Sequence, residues 1–105
     1  MSAKLYVKTV HITDEDLLVN QLTQKITLEY YLTEQVNDWE GTAKKRYGVE
    51  VVKRHVDHHA CVKTEVVGVK DVLTNKEEML SLIKNIAKHS VTPLTLKDVL
   101  EDMVG

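Results

Sequence analysis

The sequence predicts an α+β protein: a four-stranded, mostly antiparallel sheet followed by two C-terminal helices packed on one face. Three observations carry this. Residues 22–33 alternate apolar and polar side chains with period two, as a half-buried strand does. Residues 74–104 hold two amphipathic stretches of helical period joined through Pro93. Strand-type segments come first and helix-type segments last, with no internal repeat. That order suits a meander with helices on one side, not alternating β-α units. Strands are expected near 4–12, 22–33, 46–55 and 60–69, and helices at 75–89 and 96–104, in a single domain over residues 1–105.

The first strand is rich in Val, Thr and Tyr. Its alternation breaks midway: Leu5 and Val7 share one parity, Val10 and Ile12 the other. A strand covered on both sides, or one with a bulge, explains that break. In residues 13–21, Thr13 with Asp16 has the spacing of a capping box and Leu17, Leu18 and Leu22 can share a face. Nine residues interrupted by Asn20 favour a loop over a helix. In the second strand, Ile26, Leu28, Tyr30 and Leu32 face one way and Lys25, Thr27, Glu29 and Tyr31 the other.

Residues 34–45 contain Asn37, Asp38 and Gly41, which suit a connection. Trp39 in that connection either folds back over the core edge or is exposed. In the third strand, Tyr47, Val49 and Val51 oppose Glu50, Val52 and Arg54. Residues 55–59 read as its turn. In the fourth strand, Val62, Thr64 and Val66 oppose Lys63 and Glu65. The polar faces, with Lys25, Glu29, Glu50, Lys63 and Glu65, are expected to be solvated or to meet a partner.

Thr74 and Glu77 are spaced as a capping box opening the first helix. Met79, Leu80, Leu82, Ile83, Ile86 and Ala87 fall within an arc of roughly 160° at the helical period. Acidic residues in the first turn and Lys88 and His89 in the last suit the helix dipole. Pro93 disfavours helix at Thr92, so this helix should end near Ser90. Thr95 can cap the second helix, with Asp98 three residues on and Leu94 stapling onto Val99.

Composition narrows the function classes. The chain has 105 residues, enough for one modest core without metal or disulfides. Aromatic residues are 5% and Phe is absent, so Val, Leu and Ile must supply most of the packing. Fourteen basic and sixteen acidic residues give a net charge of −2, which argues against nucleic-acid binding through bulk positive charge. Lys44, Lys45 and Arg46 are the densest basic cluster and read as a solvated loop. Cys61 is the single cysteine, so a reducing cytoplasm is the natural setting. No signal peptide or membrane-spanning apolar run is expected. The four glycines form no phosphate-binding loop. Asp98, Glu101 and Asp102 read as a solvated helix face.

One stretch concentrates metal-ligand side chains: His55, Asp57, His58, His59 and Cys61. Imidazole, carboxylate and thiolate together suit zinc or nickel. The same stretch also reads as a polar hairpin tip with solvated histidines, because its spacing matches no strong zinc pattern. No cofactor and no catalytic group is expected.

LEYYL at 28–32, YGVEV at 47–51 and above all VTPLTLKDVLED at 91–102 resemble an uncharacterised family of small bacterial proteins, a domain of unknown function. The resemblance covers roughly residues 26–103. It implies a cytoplasmic protein of about this length and no particular activity. The histidine-rich tip is not part of that pattern. The expected function is a non-catalytic cytoplasmic module that self-associates, as a homodimer through a sheet edge or the exposed sheet face, or binds another protein. The alternative is a metal-binding protein using His55, Asp57, His58, His59 and Cys61.

Overall fold

The computed structural model describes residues 2–19, 22–39, 42–56 and 61–104, with side chains at 3–12, 26–36, 44–56 and 61–103. Four strands, β1 (Ser2–Val19), β2 (Leu22–Trp39), β3 (Thr42–Val56) and β4 (Val62–Leu73), precede α1 (Lys76–Lys88) and α2 (Leu96–Val104). The sheet order is β1-β2-β3-β4. Every neighbouring pair is antiparallel. The α+β meander is therefore as the sequence predicts.

The strands are longer than expected. Residues 13–19, read as a loop, continue β1, with a register irregularity between Asp14 and Val19. Residues 34–39 and 42–45, read as a connection, belong to β2 and β3, and the ladder runs out to Trp39 opposite Thr42. Backbone pairing to a neighbour already in register outweighs the weak turn preference of Asn37 and Asp38. The side chain of Trp39 lies outside the described residues. An 18-residue strand at about 3.3 Å per residue accounts for the 59 Å long axis. The thirteen residues of α1 span only about 20 Å, so the helical layer covers part of the sheet.

A bulge explains the broken alternation of β1. Tyr6 pairs with Tyr31 and Lys8 with Tyr30, leaving Val7 as the extra residue. The shift returns Val10 and Ile12 to the face of Leu5, opposite Leu28 and Ile26. The core forms where α1 crosses the sheet. Leu28, Tyr30 and Leu32 from β2 and Tyr47, Val49 and Val51 from β3 meet Met79, Ile83, Ile86 and Ala87 of α1 and Leu96 and Leu100 of α2. The helix touches all four strands, while α2 sits against β4.

The cap of α1 is one residue later than expected. Asn75, not Thr74, is the N-cap, and its side chain accepts from the Glu78 amide at 3.0 Å. Both residue types cap well, and β4 sets where the chain turns. At the other end Ser90 has φ 52°, its amide donates to Ala87 O, and the Val91 amide donates to Ile86 O. This is a Schellman motif with serine in the place glycine usually takes, and Val91 and Ile86 both buried.

The Thr95 carbonyl accepts the first bond of α2, from Val99, as an N-cap should. Leu94 is 89% exposed, so no staple onto Val99 forms. The Thr95 amide bonds back to Thr92 O, and this turn points Leu94 outward while Pro93 is buried.

Candidate functional site

The sheet face away from the helices has two halves of different chemistry. Over β1, β2 and β3 it is a polar and aromatic ladder. Lys4 Nζ donates to Glu50 Oε2 at 2.8 Å and lies 4.5 Å from the centre of the Tyr31 ring. Tyr6 meets Tyr31 edge to face at 5.9 Å. The Tyr31 hydroxyl donates to Glu29 Oε2 at 2.6 Å, and Arg54 pairs with Glu29. Tyr6 and Tyr31 face each other directly across β1 and β2, Arg54 and Glu29 sit diagonally across β3 and β2, Tyr31 and Glu29 are two apart on one strand, and Lys4 reaches over β2 to Glu50 on β3. Exposed ion pairs of this kind contribute about 0–1 kcal/mol each, so they satisfy the face more than they hold the fold.

Toward β4 the same face becomes apolar. Val52 pairs with Val66 and Val56 with Val62. Val52 is buried among its neighbours, but Val66 is 54% and Val62 64% exposed. Residues 62–66 are exposed on both faces of the sheet. They form the outer edge, with no further strand beside them among the described residues. Among the described residues this is the clearest apolar surface left uncovered beside an edge.

The two edges differ. The bulge at Val7 interrupts β1, and bulges blunt an edge against further pairing. By contrast, β4 keeps an unbroken register with β3 from Val62 to Val69. Its irregularity comes later, where Asp71 has φ 57° and Gly48 of β3 lies under the bend. A Cβ on Gly48 would overlap the Val69 carbonyl oxygen and stand 2.8 Å from Thr33 Oγ1. Arg46 Nη2 donates to Asp71 O at 3.3 Å, and its Nε is 3.4 Å from Asp71 Oδ1 without hydrogen-bond alignment.

Lys63 and Glu65 do not share the face of Glu29 and Glu50. Lys63 pairs with His55 and Glu65 with Lys53, on the side of Val51 and Val67 that carries the helices. The sequence could not show this, because strand parity becomes a common face only once register is known. The signal that would have found the site is Val62, Val66 and the flanking charges read as an edge strand.

An open groove of about 400 Å³ lies between the bend of β4 and α2. Val69 and Leu100 line it, with Lys70, Asp71, Lys97 and Glu101. Its charges cancel, and all four charged residues are exposed. Among the described residues no charged side chain is buried. The groove therefore has none of the convergent, desolvated polar groups that acid-base chemistry requires.

Of the sequence-predicted metal ligands, His55 lies at the end of β3, half-buried, and Cys61 is exposed just before β4. Nδ1 of His55 is buried with no hydrogen-bond partner among the described residues. Asp57, His58 and His59 lie outside the described residues. Among those described, no three histidine, cysteine or acidic residues gather around one point. No described helix is long and apolar enough to cross a membrane.

Residues 9–105 match the model of a protein family described as "Family of unknown function (DUF6514)". The chain belongs to that family. No curated protein and no solved structure matches it.

Proposed function

From membership of a family without an assigned activity, and from the surface just described, we propose that this chain is a non-catalytic module that works by self-association. The carrying observation is the outer edge of β4, where residues 62–66 are exposed on both faces and present Val62 and Val66 along the last described strand of the sheet. Such an edge is a template for another strand. The polar ladder over β1–β3 satisfies the rest of the open face and leaves the apolar part next to that edge. Sedimentation equilibrium of the untagged chain tests the proposal. A mass that rises from monomer to dimer with concentration supports it, and a monomer at every concentration removes it. A cytoplasmic setting belongs to the same proposal and rests on the single cysteine. Fractionation of the native host checks it.

A second reading is binding of a divalent metal by His55 with Asp57, His58, His59 and Cys61. One observation favours it: Nδ1 of His55 is buried and has no hydrogen-bond partner among the described residues. Calorimetric titration of metal-free protein with zinc tests it. Stoichiometric binding lost on His55→Ala supports the reading, and no heat of binding ends it.

A further inference from the structure

We infer that the strand added to β4 is β4 of a second copy, antiparallel, with Thr64 facing Thr64 across a two-fold axis. This rests on the self-association reading and gives it a partner and a register.

The argument is the pattern of residues 62–66, Val-Lys-Thr-Glu-Val. Turned about Thr64, it is complementary to itself. Lys63 of each copy faces Glu65 of the other, and Val62 of each faces Val66 of the other. Opposite charges set directly across two strands stabilise the pairing, and like charges oppose it. Sliding the centre by one residue puts Lys63 against Lys63 or Glu65 against Glu65. Charge therefore selects the Thr64 register over its neighbours.

The intramolecular pairing extends the match. Within one chain Val52 faces Val66, and Val56 faces Val62. In the dimer each row continues across the axis as Val52 and Val66 of one copy, then Val62 and Val56 of the second. Two such rows cross the seam and cover valines that are otherwise exposed. On the helix side, Glu65 then stands between Lys53 of its own chain and Lys63 of the second copy.

Both helical layers lie on the same side of the resulting eight-stranded sheet, because facing residues keep the same parity. The part of β4 that lines the groove against α2 begins at Val69, five residues or about 16 Å along the strand from the axis, which leaves the seam clear. The other edge offers no equivalent pairing, since the bulge at Val7 breaks its ladder. The seam is short, so the dimer is reversible and its population rises with concentration.

Two charge variants of the full chain test the register. Lys63→Glu places two carboxylates on each edge, and Glu65→Lys places two ammonium groups. Each alone should weaken dimerisation by about tenfold or more. An equimolar mixture should restore wild-type association as a heterodimer, because every facing pair is again opposite in charge. Should either variant misfold, Thr64→Cys in a Cys61→Ser background gives a second readout. Facing Cα atoms about 4.5–5.5 Å apart allow a disulfide between copies on mild oxidation. A wild-type dimer that neither charge change weakens, or that Thr64→Cys does not cross-link, overturns the register and leaves self-association standing. A wild-type monomer at the highest soluble concentration overturns both.

Discussion

The Tyr30 hydroxyl, at the centre of β2, donates to the carbonyl of Val91, sixty-one residues away, at 2.8 Å. Tyr30 is fully buried and Val91 nearly so. The bond completes the backbone of the link between the helices. The Val91 amide is satisfied by Ile86 O, its carbonyl by Tyr30, and the Thr92 carbonyl by the Thr95 amide. Pro93, buried in the same link, has no amide to satisfy. The sheet thus fixes the helical layer at the point where the chain turns from α1 to α2.

Tyr30→Phe leaves the Val91 carbonyl buried without a donor. It should cost about 1–3 kcal/mol of unfolding free energy, read by urea denaturation with an unchanged m-value. Tyr31→Phe removes only a part-buried bond to Glu29 and should cost less.

Burial also pushes the Tyr30 hydroxyl from 10.0 up to about 12. The neutral form is the one the fold accommodates. Its contribution is complete below pH 10, where the unfolded tyrosine begins to ionise, and is lost progressively as pH rises toward 12. Ultraviolet titration should show a late-ionising tyrosine, and Tyr30→Phe should remove that late step.

Ser90 holds a left-handed conformation, φ 52°, in a position where glycine carries no Cβ penalty. Ser90→Gly should stabilise the protein by about 1 kcal/mol, and Ser90→Val should destabilise it. Thermal unfolding of the pair checks both signs.

At the start of α1, Asn75→Ala should cost about 1 kcal/mol, since it removes the acceptor for the Glu78 amide. Thr74→Ala should be close to neutral. The reverse result would put the cap back at Thr74.

Gly48→Ala drives a methyl group into the Val69 carbonyl oxygen, which is backbone and cannot swing aside. The bend of β4 must shift, at about 1–3 kcal/mol. Because Arg46 meets Asp71 in that bend, amide exchange in residues 69–72 should accelerate more than in β2.

The elements readable in the sequence were those with a sustained period. Ile83 and Ile86 mark the buried stripe of α1, and Leu28, Tyr30 and Leu32 the buried face of β2, with no tertiary information needed. Strand ends were harder to read, because Asn37 and Asp38 carry turn chemistry yet pair in the ladder. The cap was ambiguous by one residue because Thr74 and Asn75 are both good caps. Leu94 has the spacing of a staple, but a Thr92–Thr95 turn, invisible as a pattern, rotates it outward. The β4 surface is half legible: alternation alone puts Val62, Thr64 and Val66 on one face and Lys63 and Glu65 on the other. That this face is open and edged, and that Lys63 and Glu65 lie on the helix side and not with Glu29 and Glu50, depends on a register that no local signal sets.

The most direct test of the central claim is amide hydrogen exchange of the untagged chain at low and high concentration. Alternate amides of an edge strand point away from the sheet and exchange quickly unless another strand covers them. Protection in residues 62–66 should rise with concentration while β1 stays unchanged. Exchange in β4 that is independent of concentration, whatever the oligomeric state, would contradict the claim that this edge is where the protein associates.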